Sequence, residues 1–332
     1  MDTLFTDGLR ALLDGICGPE VVRDLEARQD AAQLWKQIEE SGFADVLVSE
    51  EKGGAGLSLA QAYPLFEMCG AMAVPVPLAE TMLARGQLSQ AGMATGHGSI
   101  TFASGRRQAD GSIVCDQVSH GQLADQVLVS VQGECRLLNA ADARKSPLPF
   151  PLDAVLSWHD DTWRQAQLVP GLGDIRVLHA CVAAALIAGA LDTVFRRTLQ
   201  YANDRQQFGR PIGKFQAIQH QIGVMSEASF AAGMAARNGC EGAGIMPDPL
   251  RVAVAKARTS EAAVEVAALS HSIHGAIGFT AEFDLQLYTR RLHLWRQAAG
   301  SESWWHDVLG AELVDRRQGM ALDLLRDLSE IA

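Results

Sequence analysis

One segment of the sequence carries residue types that suit an anionic, planar ligand. Residues 205–219 read Arg-Gln-Gln-Phe-Gly-Arg-Pro-Ile-Gly-Lys-Phe-Gln-Ala-Ile-Gln. The guanidinium of Arg205 offers a planar fork of donors that matches a diphosphate, and the ring of Phe208 can pack against an adenine or another apolar surface. These residue types would suit a ligand that carries a diphosphate. The alternative is a structural turn between two helices that leaves an arginine on the surface.

A second segment, residues 274–283, reads His-Gly-Ala-Ile-Gly-Phe-Thr-Ala-Glu-Phe. Gly275 and Gly278 have no Cβ, so the backbone at these two positions can approach a ligand closely. The segment therefore predicts a stretch of backbone against which a ligand can lie.

General catalytic and metal-binding signatures are missing from the sequence. Residues 209–215 resemble a phosphate-binding loop, but the pattern is one residue short and lacks the Ser or Thr that would hold magnesium. Pro211 also removes a backbone donor from this stretch. His271 and His274 have the spacing of metal ligands, yet a single pair of this kind is more typical of a helix end. We therefore predict no metal site.

The first segment lies between stretches that have the pattern of long helices. Residues 174–205 contain no proline, and at ~1.5 Å per residue they predict a rod of about 45 Å. Asp248-Pro249, an N-cap acceptor followed by proline at the first helical position, announces a helix that continues to about residue 270. Residues 301–317 predict another, and we expect an antiparallel bundle of four helices. The remaining helix is indicated by an apolar stripe of Phe215, Ile218, Ile222 and Met225.

The first half of the chain divides into a helical part and a β part. Residues 1–95 contain stretches around 31–38 and 59–72 with apolar residues at three-and-four spacing, separated by a glycine-rich loop. Residues 99–170 hold short β-branched runs, and four prolines from 147 to 170 predict that no helix forms at the end of this part. We predict three domains: a helical N-terminal domain over 1–96, an abbreviated middle β domain over 97–172, and a C-terminal bundle over 173–332.

The composition of the 332-residue chain excludes several classes of protein. Hydrophobic residues make up 48% and charged residues 20%, which favours a large core over a disordered chain. The net charge of −11 disfavours a nucleic-acid partner. The sequence has no basic, apolar leader and no window of about 18 uninterrupted apolar residues, so we expect a cytoplasmic protein without a membrane span. The six scattered cysteines are expected to be reduced and mostly buried.

The two segments, in this order, resemble the C-terminal domain of the acyl-CoA dehydrogenases, flavoenzymes that desaturate acyl-CoA thioesters between Cα and Cβ. Residues 41–43, 49–56 and 75–77 are similar to the helical N-terminal domain of that family. The resemblance covers the first ninety or so residues and a second region from 175 to about 315. It implies a mainly α fold with a small β domain, in which a helical N-terminal domain and an abbreviated β-barrel precede a four-helix bundle.

The resemblance also implies FAD as cofactor. In the family, the first segment contacts an FAD held mainly by a neighbouring subunit, so Arg205, Phe208 and Gln216 are expected to be cofactor contacts across a subunit interface. The second segment of the family commonly reads Gln-x-x-Gly-Gly-x-Gly. Here the corresponding positions include Ser272, Gly275 and Ala276, so an amide side chain and one glycine are gone and we expect weaker local contacts with FAD.

The sequence departs from the family at the catalytic base. Family members remove the Cα proton with a carboxylate, which usually comes immediately before a Gly-Thr or Gly-Ser step. Here that step follows Ala299, so the usual base is missing. Two substitutes are His179, near the start of the first long bundle helix, and Glu302. The alternatives are a packed or solvated histidine and a glutamate that stabilises a helix N-terminus.

A second departure concerns the middle domain. The family carries a Thr-Glu-x-x-x-Gly-Ser-Asp-like stretch that wraps the flavin ring, and nothing between residues 96 and 170 matches it. Both losses indicate a subunit similar to the short chains of the α2β2 acyl-CoA dehydrogenases of bacterial steroid catabolism. We therefore expect a longer homologue as partner, an acyl-CoA substrate, and an electron-transfer flavoprotein or similar acceptor. The alternatives are a self-sufficient homo-oligomeric dehydrogenase with His179 or Glu302 as base, and a flavin-free structural partner.

Overall fold

The computed structural model describes residues 2–28, 30–316 and 321–329. The chain forms two compact units. The first comprises Met1–Leu65, Val74–Val182 and Gly242–Pro247, and the second comprises Phe66–Ala73, Ala183–Glu241 and Asp248–Ala332. The three predicted domains, with their boundaries at residues 96 and 172, stay a prediction.

Five helices open the chain, and those around residues 31–38 and 59–72 confirm the prediction from apolar spacing. Helix α5 is buried along its whole length from Leu78 to Ser89, including Arg85. The Arg85 guanidinium lies 2.7 Å from Glu39 and 2.9 Å from Asp45, which compensates its buried charge. The bounds are α1 Asp2–Ile16, α2 Pro19–Arg28, α3 Ala32–Ser41, α4 Leu59–Ala71 and α5 Leu78–Gln90.

Eight strands follow in the first unit and form two four-stranded sheets. One sheet has the order β1-β4-β5-β8, with β1 parallel to β4 and the other neighbours antiparallel. The second has the order β2-β3-β7-β6 and is antiparallel throughout. The strands are β1 Ile100–Ser104, β2 Arg106–Arg107, β3 Ile113–Val118, β4 Gln126–Val131, β5 Glu134–Asn139, β6 Arg144–Pro147, β7 Ala154–Trp158 and β8 Gln167–Leu168.

The predicted β character of this region is confirmed, but the prediction that its end contains no helix was wrong. A short helix, α6 Asp160–Gln165, lies between the last prolines of this region. Two acidic residues in its first turn suit the helix N-terminus. Trp163 on this helix is 2% exposed and joins the apolar core of the sheets. Burial of a large indole stabilises a helix of this length where propensity alone would not.

The long helices expected in the last half of the chain are present. Helix α9 packs against α8, α10 and α11. The carboxylate of Asp248 accepts hydrogen bonds from the backbone amides of Leu250 and Arg251, each at 2.9 Å, which confirms the predicted N-cap. The bounds are α7 Arg176–Asp204, α8 Gln216–Gly239, α9 Pro249–His274, α10 Leu285–Gln297, α11 Glu302–Ala311 and α12 Ala321–Ser329.

Three helical details differ from the expectation. Helix α9 continues to His274, four residues beyond the predicted end. The predicted helix over 301–317 ends at Ala311, where the backbone widens into a π turn over Glu312–Arg316, and residue 317 lies outside the described part of the chain. Helix α10 was not predicted, because basic residues interrupt its apolar stripe. One of them, Arg291, is nevertheless 2% exposed and donates to the carbonyl of Leu287.

Helix α7 is long and apolar enough to cross a membrane, but 78% of its most apolar stretch is buried inside the protein. A core helix of a globular protein has this property. All six cysteines are buried and none of them forms a disulfide, as expected for reduced thiols. Burial raises the pKa of the Cys115 and Cys135 thiols to about 12, so both are protonated near neutral pH.

Candidate cofactor site

A two-stranded hairpin joins α7 to α8 and carries the first predicted segment. Its strands, β9 Gln206–Gln207 and β10 Arg210–Pro211, pair in antiparallel register. The two residues between the strands, Phe208 and Gly209, have φ of 53° and 81°, which is the left-handed geometry of a tight hairpin turn. A phenylalanine rarely adopts this conformation. The turn leaves the Phe208 side chain 90% exposed.

The cations of this hairpin have different surroundings. The guanidinium of Arg210 lies over the ring of Phe215, 4.2 Å from its centre, and the edge of Phe208 meets the same ring at 6.1 Å. Arg205 is exposed and has no ion-pair partner in the part of the chain that the structure describes. Its planar donors are therefore available to an anion.

The second predicted segment forms the end of α9 and the 3₁₀ turn Gly275–Phe279 that follows it. A Cβ placed on Gly275 would meet no atom within 4 Å, so this backbone faces open space. A Cβ on Gly278 would lie 3.0 Å from the Cβ of His274 and 3.2 Å from Nδ1 of His271. The interpretation that both glycines admit a ligand is therefore supported only for Gly275, because Gly278 faces closely packed atoms of the chain itself.

Three aromatic residues support this corner. The ring of His274 stacks on Tyr201 at 4.4 Å between centres and contacts Phe283 at 5.1 Å. Nδ1 of His274 lies 2.8 Å from the carbonyl oxygen of Ser270. Since a carbonyl oxygen can only accept a hydrogen bond, Nδ1 carries the proton and donates it. Nε2 is then an acceptor, and it has no partner among the described residues. Burial lowers the pKa of His274 below its usual 6.5, so the ring is neutral near pH 7.

The two segments meet in a cavity of about 560 Å³. Of the six predicted cofactor contacts, five line it, and Gln216 lies outside it as the exposed first residue of α8. Tyr201 and His274 line the same cavity but were not predicted as cofactor contacts. Tyr201 lies on α7, four residues before Arg205, and this spacing was the signal in the sequence that could have predicted its place beside Arg205. The five predicted residues in the lining are Arg205, Phe208, Ser272, Gly275 and Ala276.

The chemistry of the lining fits a dinucleotide. Arg205 supplies an unpaired fork for a diphosphate. Phe208 supplies an aromatic face, and Ser272 an exposed hydroxyl. The open backbone at Gly275 allows close approach. These groups suit the diphosphate and adenine ends of such a ligand, and the residues that line the cavity include no carboxylate of the kind that the family uses as base.

The position expected for a catalytic base lies in a turn that carries no acidic side chain. Ala299 and Gly300 connect α10 to α11 with φ of 57° and 104°. Glu302, one of the two proposed substitutes, lies two residues further on and pairs with Arg296 through both carboxylate oxygens, one of them at 2.9 Å. This ion pair lowers the pKa of Glu302. A carboxylate held in this way is a weaker base and is less free to reach a substrate.

The second substitute, His179, is buried in the first compact unit. The residue is 9% exposed, and its ring lies 5.9 Å from that of Phe102 on β1. This packing is the ordinary structural explanation for a histidine on an apolar helix. Each proposed substitute therefore already has a structural partner, which is Arg296 for Glu302 and Phe102 for His179.

Comparison with known proteins places the chain in a family. The family described as "Acyl-CoA dehydrogenase, C-terminal domain" matches residues 166–313. Acyl-CoA dehydrogenase IpdE2 of Mycobacterium tuberculosis is 32% identical over 281 residues, which span 83% of this chain and 86% of that protein. IpdE2 of Mycolicibacterium smegmatis is also 32% identical, over 87% of this chain and 91% of that protein.

Solved structures share the fold at lower identity. A chain of the ChsE4–ChsE5 complex from Mycobacterium tuberculosis has a TM-score of 0.81 with 20% identity, covering 96% of this chain and 98% of that one. A chain of the Tcur3481–Tcur3483 steroid ACAD has a TM-score of 0.79 with 23% identity, covering 93% and 96%. The mainly α fold with a small β domain is therefore that of the family. On these matches, the chain belongs to the acyl-CoA dehydrogenases, oxidoreductases whose cofactor is FAD.

Proposed function

We propose that this chain is one subunit of a hetero-oligomeric acyl-CoA dehydrogenase and that its cavity contacts an FAD held mainly by a longer homologous chain. The observation that carries the proposal is the exposure of Phe208, at 90%, beside the unpaired Arg205. The turn holds a phenylalanine in a left-handed conformation and leaves its ring in solvent. A second chain that covers this ring would account for both features.

The energetics of the exposed ring support a partner. Burial of a phenylalanine side chain contributes roughly 1.5–3 kcal/mol, and the isolated chain does not obtain this contribution at Phe208. A single exposed apolar residue is ordinary, but Ile277 at 43% and Phe279 at 71% are exposed on the neighbouring 3₁₀ turn. Three exposed apolar side chains around a cation and a cavity favour a surface that another molecule covers.

In the proposed complex, the bound FAD supplies the acceptor for the hydride that leaves Cβ of the thioester. The residues of this chain bind and orient. Arg205 neutralises the diphosphate with two parallel N–H donors, Phe208 covers the adenine end, and Ser272 donates a hydroxyl. The backbone at Gly275 lets the ligand lie close to the chain.

The proton on Cα is assigned to a base of the partner chain. Ala299 has no acidic group, and Glu302 is engaged with Arg296. That base would take the Cα proton, and the two electrons of the Cβ hydride would pass to an electron-transfer flavoprotein or similar acceptor. This chain then contributes binding and positioning, and the partner contributes proton transfer.

The proposed substrate is an acyl-CoA thioester with a bulky, steroid-derived acyl group. The support is the likeness to the Tcur3481–Tcur3483 enzyme, which is described as a steroid ACAD. The two-chain ChsE4–ChsE5 complex supports the assembly from different chains. A cytoplasmic location is part of the same proposal.

The experiment compares the chain purified alone with the chain co-expressed with a longer homologue from its genomic neighbourhood. We expect little flavin absorbance in the isolated chain, and bound flavin with dehydrogenation of a CoA thioester in the complex. Arg205→Ala in the complex should reduce flavin retention by about 10–100-fold, since a hydrogen bond to a charged group contributes roughly 1.5–3 kcal/mol. The matched control is Arg258→Ala, which removes a surface arginine of α9 that is paired with Glu261.

Two outcomes would contradict the proposal. Full FAD occupancy and turnover in the isolated chain would show a self-sufficient homo-oligomeric dehydrogenase. Unchanged assembly, flavin content and activity after Arg205→Ala would show a structural partner that does not contact the cofactor.

A further inference from the structure

Lys256 is a fully buried lysine in the middle of α9, at 0% exposure. Its ammonium donates to the hydroxyl of Ser260 at 3.0 Å, to the carbonyl of Arg296 at 2.8 Å and to the carbonyl of Gly300 at 3.0 Å. An ammonium has three donors, and all three are used. Two of the acceptors lie on either side of the turn between α10 and α11.

The turn itself has an unfavourable backbone. Ala299 has φ of 57°, a conformation that a residue with a Cβ adopts at a cost, and Gly300 follows with φ of 104°. The Gly300 amide donates to the carbonyl of Gln297 at 3.3 Å, and the Ala298 amide donates to the carbonyl of Leu294 at 3.0 Å. Lys256 adds a charge-assisted hydrogen bond to the Gly300 carbonyl from a different helix, α9.

The cost of burying this charge argues that Lys256 has a role. Burial lowers the pKa of Lys256 to about 7, an effect that Arg296 of α10 increases and Glu302 of α11 opposes. An apolar side chain of similar length would avoid this penalty. A buried lysine that donates to the carbonyl of Arg296, in the last turn of α10, and to that of Gly300, in the connection to α11, is explained by the position of that connection and not by stability.

We propose that Lys256 is a positioning residue whose three hydrogen bonds hold the turn Ala298–Ser301, and with it the vacated base position Ala299, in a left-handed conformation. That Ala299 occupies the base position is an expectation from the family resemblance, and the hydrogen bonds are independent of it. The turn is thereby held in place from a second helix, although it carries no carboxylate.

Two tryptophans report on the position of the turn. A Cβ placed on Gly300 would lie 3.1 Å from Cε3 of Trp304 and 3.2 Å from Nε1 of Trp305, so both indoles pack directly on this residue. The two rings meet edge to face at 4.4 Å. A displacement of the turn changes the surroundings of both indoles and leaves those of Trp158, in the sheet core of the first unit, unchanged.

The test uses Lys256→Met in the full chain, with Arg258→Met two residues along α9 as the matched control. Two readouts are measured below the pKa of Lys256, where the ammonium predominates. Hydrogen exchange of the peptide that contains the Gly300 amide should accelerate at least ~10-fold in Lys256→Met, because three hydrogen bonds are lost. Fluorine resonances of 5-fluorotryptophan at positions 304 and 305, assigned by Trp304→Phe and Trp305→Phe, should shift while that of Trp158 does not.

Three results would overturn the proposal. The first is exchange at Gly300 no faster in Lys256→Met than in Arg258→Met. The second is an acceleration spread equally over α8 and α9, which indicates a general loss of stability. The third is unchanged resonances of Trp304 and Trp305. If Lys256→Met does not fold, Lys256→Gln is measured with the same expectations, since its amide is too short to donate to both carbonyls.

Discussion

The imidazole of His274 stacks on the ring of Tyr201, with 4.4 Å between the ring centres and 26° between the ring planes. This contact joins the last residue of α9 to Tyr201 on α7, four residues before Arg205, which follows the end of that helix. Because both rings line the cavity, the stack fixes the distance between its two walls. The cavity therefore depends on a contact between residues that are 73 positions apart in the chain.

The protonation of His274 should destabilise this corner in acid. Its pKa is lowered by burial, so below pH 6.5 the unfolded chain binds more protons than the folded chain. The free energy of unfolding should then fall as the pH drops below 6.5, by about 1.4 kcal/mol for each unit that separates the two pKa values. Denaturant titrations between mildly acidic and neutral pH measure this dependence. His274→Phe should flatten it, whereas His220→Phe on the exposed face of α8 should not.

Phe208 should matter to the assembly and not to the isolated chain. Its ring is 90% exposed, so Phe208→Ala should change the free energy of unfolding of the isolated chain by less than about 0.5 kcal/mol. In the complex, loss of the buried ring should weaken association by roughly 1.5–3 kcal/mol, or about 10–100-fold in the dissociation constant. Calorimetric titration against the partner chain measures this. Equal affinity of the variant and the wild type would remove Phe208 from the interface.

The hairpin and the end of α9 illustrate how far the sequence predicts the site. Local chemistry identifies Arg205 and Phe208, because a turn between two helices exposes its side chains whatever the rest of the chain does. The close packing at Gly278 could be recognised only from the structure. A Cβ at this position would lie 3.0 Å from the Cβ of His274 and 3.2 Å from Nδ1 of His271. Lys256 was missed for a similar reason, because its acceptors lie 40 and 44 residues further along the chain.

The same distinction holds for the fold. Helices α7 and α9 follow from long patterns and from the Asp248 cap, which are local signals. Helix α10 does not, because a buried arginine on its inner face makes the stripe look polar. The buried guanidinium of Arg291 donates hydrogen bonds to acceptors on its own helix, such as the Leu287 carbonyl. A sequence pattern does not show that these donors have acceptors.

Gly189 on α7 should not tolerate a side chain. A Cβ at this position would lie 1.8 Å from the carbonyl oxygen of Glu67 on α4, which is backbone and cannot turn away. Gly189→Ala should therefore lower the free energy of unfolding by roughly 1–3 kcal/mol or more, as overpacking of a close helix contact does. Gly223→Ala on α8 is the matched control, because its Cβ would meet nothing within 4 Å. The control should be neutral or stabilising by up to about 1 kcal/mol in thermal unfolding.

Glu302 should behave as a structural counter-ion and not as the base. Its carboxylate is held by Arg296, so Glu302→Gln in the active complex should change kcat by less than ~10-fold and leave the pH profile of kcat in place. A general base would cost at least ~10²-fold on removal. A loss of that size, with the acidic limb of the profile abolished, would instead support the self-sufficient enzyme. Steady-state kinetics of the complex across pH measure both quantities.

Lys256 should give the protein a stability that rises with pH. The pKa of this lysine is about 7 in the folded chain and 10.5 when it is unperturbed, so between these values the unfolded chain binds the extra proton. The free-energy cost of burying the Lys256 ammonium is complete below pH 7 and disappears toward pH 10.5. Over this window the free energy of unfolding should rise by up to ~1.4 kcal/mol per pH unit. Lys256→Met removes the titrating group, so its denaturant midpoint should lose this rise. Lys36→Met, at an exposed lysine of α3, should keep it. Parallel pH dependences for Lys256→Met and the wild type would mean that the ammonium is not desolvated at this position.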